Sequence, residues 1–212
     1  MLLDATTISG WMTEVRGAIK AQRDYLVQLD AAIGDGDHGI NMTRGFDAVV
    51  LALEKDESGL PGRMLITAGK TLVSTVGGAS GPLWGSALRR AGRTLGDAPT
   101  FDGPQLADAL ESAVAAIVEL GAAQPGDKTM IDALQPAVRT LKDRLASGDA
   151  LPEALDAATA AAEAGLRATV PMQARKGRAS YLGERSIGHQ DPGATSAVIV
   201  IRALDRTVRG QG

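Results

Sequence analysis

Asp30, Asp35 and Asp37 fall within eight residues, in the stretch Asp30-Ala-Ala-Ile-Gly-Asp-Gly-Asp-His-Gly39. Three carboxylates gathered at one point repel each other unless a cation or shared protons offset the charge. A hard divalent metal does this most simply. All-oxygen ligands on a short, flexible turn suit Mg²⁺, which takes few protein carboxylates and completes its octahedron with water and substrate phosphates. Gly34, Gly36 and Gly39 allow the tight backbone needed to aim alternate side chains inward, and the N–H groups of a helix starting after Gly39 could meet a phosphate. An isolated Asp-Gly-Asp is more often a solvated capping loop. The added Asp30, His38 and Asn41 favour the metal–nucleotide reading.

Several resemblances to other sites fail on inspection. Gly34-x-Gly36-x-x-Gly39 has the spacing of a dinucleotide fingerprint, but it follows a helical segment, and its aspartates would repel a bare pyrophosphate. Gly39 stands where an EF-hand loop needs a ligand, and no Glu closes the loop. Ala68-Gly-Lys-Thr71 ends like a Walker A loop, yet Met64 occupies the position of its first Gly. His38 and His189 could carry a phosphoryl group, but each sits beside candidate metal or phosphate ligands, which favours hydrogen bonding.

Three further segments could serve phosphates. Gly77-Gly-Ala-Ser-Gly81 before Pro82 exposes backbone N–H groups and adds the Ser80 hydroxyl at a helix start. Pro125-Gly-Asp-Lys-Thr129 offers Lys128, a cation able to screen phosphate charge. Arg175, Lys176, Arg178 and Arg185 lie in a long polar segment, Pro171 to Pro192, with the length and glycine content of a flap. Tyr181 in that flap could stack on a base or pack locally.

The elements that must position these segments read as helices: apolar residues recur near three- and four-residue spacing, and no sustained alternation predicts a sheet. The expected helices are Ser9 to Leu29, Ile40 to Lys55, Met64 to Val76, Pro82 to Leu95, Pro104 to Leu120, Met130 to Ala146, Pro152 to Ala168 and Ala194 to Arg209. Eight helices with mostly short connections make an all-α, antiparallel up-and-down bundle or closed barrel in a single domain, 1–212. Connections then alternate between two ends. Those after the first, third, fifth and seventh helices share one rim, and they are the segments with the unusual chemistry.

The chain has 212 residues, a net charge of −3, no cysteine, and two each of Tyr, Phe and Trp. These values disfavour a disulfide framework, a thiolate site and nucleic-acid binding, and they predict a cytoplasmic setting. No apolar stretch reaches membrane-spanning length before a charge or glycine interrupts it.

Taken together, the chain resembles the L subunit of dihydroxyacetone kinases over nearly its whole length. Gly34-Asp-Gly-Asp-His-Gly39 after Asp30, Gly77 to Pro82, Gly126-Asp-Lys-Thr-Met130, Gly177-Arg-Ala-Ser-Tyr-Leu-Gly183 and His189-Gln-Asp-Pro-Gly-Ala194 follow the family's motifs in order. The resemblance implies a barrel of eight helices with ADP or ATP at one end, and Asp30, Asp35 and Asp37 binding two Mg²⁺. It further implies that His38, Gly39, Ile40 and Asn41 line the nucleotide site, with Ala79 and Ser80 at the phosphates. Gly121 and Met130 would lie near the base, and Arg178 with Asp191, Pro192 and Gly193 would close over it. Ile40 stands where relatives often carry Thr, so any hydroxyl contact there is lost.

The family's substrate is held covalently on a His of a separate K subunit or domain, for which this chain has no counterpart. The resemblance therefore implies no nucleophile or base on this chain and no turnover of dihydroxyacetone by it alone. In phosphoenolpyruvate-dependent systems the bound ADP is recharged by a phosphohistidine protein and passes the phosphoryl group on. An L subunit for an ATP-exchanging kinase of a small ketose or triose, and a non-catalytic Mg²⁺-nucleotide sensor that binds a partner protein, are the alternatives. Self-association into a homodimer is left open.

Overall fold

The computed structural model describes residues 1–211. Its first helix, α1 (Ala5–Ala21), starts on a capping box: Asp4 accepts from the backbone of Thr6 and Thr7, while the Thr7 hydroxyl takes the Asp4 N–H. This cap starts the helix four residues before the expected Ser9. The expected single helix breaks at Gln22 (φ −106°, ψ 13°), and α2 (Arg23–Ile33) carries it past Leu29. Asp30 is therefore a helical residue and not the first residue of the turn.

Helices α3 (His38–Leu53), α4 (Pro61–Thr75), α5 (Ser80–Leu95), α6 (Gly103–Gly121), α7 (Ile131–Ala146), α8 (Leu151–Ala168) and α9 (Pro192–Arg209) follow. With α1 and α2 counted as one kinked stave, they are the eight expected helices. Each stave packs on the next in sequence, and α9 closes the ring on α1. Short connections make successive staves antiparallel. Two elements were not expected: a two-residue antiparallel pair, β1 (Leu3–Asp4) with β2 (Thr100–Phe101), and a 3₁₀ helix over Arg178–Ser186 in the long polar segment. The pair ties the start of α1 to the α5–α6 connection.

One continuous core fills the ring, with Trp11, Met12, Val15 and Ile19 of α1 and Ile199, Val200 and Ile201 of α9 among its members. Within it the Trp11 indole donates to the Val200 carbonyl at 3.0 Å. Helices α4 and α5 touch backbone to backbone. A Cβ on Gly62 would lie 2.1 Å from the Gly96 carbonyl oxygen, and one on Gly92 would lie 2.3 Å from that of Gly62. No side chain fits at these contacts, and the close pairing fixes the turn between the two helices, Val76 to Ala79. Among the described residues no helix is long and apolar enough to cross a membrane.

Candidate nucleotide site

The connections after α2, α4, α6 and α8 meet at one end of the ring, as the alternation of turns requires, and line a cavity of about 710 Å³. That volume is in the range of pockets that enclose a small ligand.

On one wall, at least one ligand-type oxygen from each of Asp30, Asp35 and Asp37 lies within 4.8 Å of the others. Asp30 reaches out of the last turn of α2, and its Oδ2 accepts from the backbone N–H of Asp37 (2.9 Å) and of His38 (3.1 Å). It thereby caps α3 from a neighbouring helix. The turn between them depends on Gly36, at φ +74°, and on Gly39, where a Cβ would stand 2.1 Å from the Arg23 carbonyl oxygen. Asp37 makes no capping bond, so its carboxylate is free to face the cavity. The donor set, three carboxylates on a glycine turn, fits a hard cation such as Mg²⁺.

Above this wall stands the flap. Arg178, at the start of the 3₁₀ helix, places its guanidinium 3.0 Å from Asp35 Oδ2. Both side chains are substantially exposed, so the pair adds little to stability. Its significance is positional, since it puts a fixed positive charge over the carboxylates.

His38 is buried between two hydroxyls, with Nδ1 3.2 Å from Ser80 Oγ and Nε2 3.1 Å from Ser196 Oγ. Ser196 donates its own proton to the Gly193 carbonyl at 2.9 Å. One arrangement satisfies all three groups: Ser80 donates to Nδ1, and Nε2–H donates to Ser196. Burial is the largest cause acting on the imidazole and lowers its pKa, against the pull of Asp30 and Asp37. A neutral ring in this chain of bonds joins the Gly77–Ser80 turn to the Asp191–Gly193 strap. The Ser80 hydroxyl, expected to face a phosphate, is spent on His38; the backbone N–H groups of the turn remain.

Asp191 caps α9, accepting from Ala194 N at 2.7 Å, and burial is the main cause that raises its pKa to about 7. Ala79, Ser80, Gly121, Met130, Arg178, Asp191, Pro192 and Gly193 all line the cavity. His38 lines it too, but the three residues after it do not. Gly39 is buried against α2, and Ile40 points outward with 43% of its surface exposed. Asn41 is buried, its Oδ1 accepting from Arg44 at 2.7 Å.

The far wall was not legible beforehand. Leu83, Ile117, Leu120 and Ala123 form an apolar surface opposite the carboxylates. Their helical spacing is that of core residues, and only the 55% exposure of Leu120 at the end of α6 marks the wall as reachable. Lys128 also departs from expectation: it is 1% exposed, and its ammonium points at backbone carbonyls. The cavity thus has a cation-binding end beside two helix N-termini and an apolar end, a polarity that matches a metal-bound phosphate tail and a flat base.

Comparison with known proteins agrees. The DAK2 domain matches residues 32–206. The chain is 43% identical over 204 residues to the PEP-dependent dihydroxyacetone kinase, ADP-binding subunit DhaL, of Escherichia coli K12, covering 96% of this chain and 97% of that one. It is 41% identical to the PTS-dependent counterpart of Lactococcus lactis, with the same coverage. The D-erythrulose kinase of Mycolicibacterium smegmatis is 38% identical, but only 33% of its length is matched. Among solved structures, the dihydroxyacetone kinase of C. freundii in complex with AMP-PNP and Mg²⁺ superposes with a TM-score of 0.72 at 28% identity, over 94% of this chain and 33% of that one. The chain belongs to the DAK2 domain family and, by identity, stands with its DhaL subunits.

Proposed function

We propose that this chain is the ADP- and Mg²⁺-binding L subunit of a dihydroxyacetone kinase. In this reading it relays a phosphoryl group from a phosphoenolpyruvate-fed phosphohistidine protein to dihydroxyacetone held on a K subunit, in the cytoplasm. The observation that carries the reading is the polarity of the cavity, with Asp30, Asp35 and Asp37 clustered at one end and an apolar wall at the other. Identity of 43% and 41% to two DhaL subunits, against 38% to the D-erythrulose kinase, supports it.

Each relay step breaks one bond to phosphorus and forms another: first from the donor histidine nitrogen to the nucleotide, then from the nucleotide to a dihydroxyacetone hydroxyl. Asp30, Asp35 and Asp37 would hold two Mg²⁺, which supply positive charge to the phosphate oxygens. The chain's residues position and neutralise. N–H groups of the Gly77–Ser80 turn face the phosphates, and Arg178 adds its guanidinium from above. Ile117, Leu120, Gly121 and Met130 take the base, and Asp191, Pro192 and Gly193 close the side. No residue of this chain acts as nucleophile or base.

The test is to purify the chain, release and identify any nucleotide, and weigh the native particle to read its subunit number. K subunit, dihydroxyacetone and either ATP or a phosphoenolpyruvate-fed donor are then added. ADP in the released fraction and turnover with the phosphohistidine donor are expected. Turnover with free ATP alone would replace the relay with an exchanging kinase. Bound nucleotide without turnover from either donor would leave a sensor, and absence of both would remove the proposal.

A further inference from the structure

Lys128 is among the largest fully buried side chains of the protein. Its Nζ donates to the carbonyl oxygens of Thr169 (2.7 Å), Met172 (3.2 Å) and His189, and that of Val170 lies 3.5 Å away. These carbonyls come from two places. Thr169, Val170 and Met172 begin the segment that leaves α8, and His189 ends it just before α9. The cage therefore sits where the two feet of the flap meet, and the 3₁₀ helix with Arg178 hangs between them.

The loop that delivers the lysine is built for that aim. Asp132, in the first turn of α7, accepts from Gly126 N (2.6 Å) and from Thr129 N (2.8 Å), folding residues 126–129 back on the helix. Within that fold Lys128 adopts φ +63°, a conformation an L residue takes only when its surroundings compel it. Other bonds tie the same feet: Gly188 N to the Val170 carbonyl (2.8 Å), Asp191 N to Thr169 Oγ1 (3.1 Å) and Arg175 N to the Asp127 carbonyl (3.0 Å). All are between neutral groups except the ammonium's. A buried ammonium is costly unless it is fully hydrogen-bonded. Burial lowers its pKa while Asp191 opposes the change.

We propose that Lys128 is a positioning residue, the resident cation of a backbone-carbonyl cage that locks both feet of the flap and so sets Arg178 and the Asp191–Gly193 strap over the cavity. Lys128 borders the cavity, but its ammonium is committed to main-chain carbonyls. These bonds form without nucleotide, so the cage can be tested in its absence and independently of the proposed relay. Removing the ammonium leaves three or four inward-facing carbonyls, a cavity chemistry that suits a small alkylammonium ion.

The flap carries its own reporters, because Arg175, Lys176, Arg178 and Arg185 are trypsin sites. Nucleotide-free wild type, Lys128→Met and Lys128→Ala are digested under native conditions, and the rate of cleavage within residues 175–185 is followed. The Met variant keeps the volume and drops the charge, so cleavage on the order of tenfold faster is expected, with far-ultraviolet circular dichroism unchanged. Added ethylammonium should slow cleavage of Lys128→Ala and leave Lys128→Met unaffected. The ADP dissociation rate, measured on the same samples, reports whether the locked flap matters to the site. Equal cleavage of wild type and Lys128→Met, or no response of Lys128→Ala to the amine, would overturn the cage. If neither variant folds, the side-chain ¹⁵N spectrum of the wild-type protein decides. A lysine ammonium signal with slow proton exchange is expected, and absence of any such signal refutes the lock.

Discussion

Replacing Asp37 with Asn should change the order of stabilities between metal-free and ligand-loaded protein. One carboxylate oxygen from each of Asp30, Asp35 and Asp37 lies within 4.8 Å of the others, and Asp37 makes no capping bond. At that separation a pair of like charges in a water-like dielectric costs about 0.9 kcal/mol, so Asp37 contributes about 1.7 kcal/mol of repulsion through its two neighbours. Arg178 offsets part of the Asp35 charge, and a carboxylate at the start of α3 gains roughly 0.3–1 kcal/mol from the helix dipole. The net expectation in EDTA is stabilisation by about 0.5–1 kcal/mol, or roughly 1–4 °C in Tm for a chain of this size. With Mg²⁺ and ADP at about a hundred times their dissociation constant, the wild type gains about 2.7 kcal/mol by mass action, and the variant gains little. Scanning calorimetry of both proteins under both conditions reads the crossing directly. A variant less stable than wild type in EDTA would show that Asp37 is a structural residue. An equal ligand-induced rise in both would show that it holds no metal.

Three other outcomes follow from particular contacts. Gly92→Ala would press a Cβ to 2.3 Å from the Gly62 carbonyl oxygen, so urea unfolding should show a loss of about 1–3 kcal/mol; an unchanged midpoint would contradict the close α4–α5 contact. Arg178→Ala should accelerate ADP release while leaving the thermal midpoint within about 1 °C, since the exposed Asp35 pair contributes little to folding; a large loss of stability would make Arg178 structural. Asp191 titrates near 7 in the fold against an ordinary 3.8. A raised carboxyl pKa favours the folded state at low pH, so this group's contribution is greatest below about 3.8 and declines as pH rises to about 7. Asn at 191 keeps the cap on Ala194 N without titrating, so urea midpoints from pH 5 to 8 should fall less steeply in Asp191→Asn, and parallel curves would refute the assignment.

The acidic turn was readable because its chemistry is local: glycine freedom and carboxylate charge are properties of the residues themselves. Sharing of one rim by four distant segments followed from helix count and short connections, and the cavity joins them as that argument requires. What escaped was set by partners the sequence does not display. Asp30 reads as the first residue of a turn because it precedes glycines, yet it is helical and spends its carboxylate on N–H groups of the next helix. Lys128 reads from sequence as a cation in a turn, able to screen phosphate charge, whereas its partners are main-chain carbonyls that carry no side-chain signature. Leu83 and Ile117 share the periodicity of the core and differ from it only in facing a cavity. The break at Gln22 has neither proline nor glycine to mark it.

The central claim is that nucleotide held at Asp30, Asp35 and Asp37 is a resident carrier of the phosphoryl group. One measurement addresses it directly. Chain loaded with ADP is mixed with a phosphohistidine donor labelled with ³²P, the K subunit, dihydroxyacetone and excess unlabelled free ATP, and the label is followed over a single turnover. Label is expected to enter protein-bound nucleotide first and then dihydroxyacetone phosphate, undiluted by the free ATP. Label that mixes with the free pool before reaching product, or product formed with no labelled nucleotide on the chain, would contradict it.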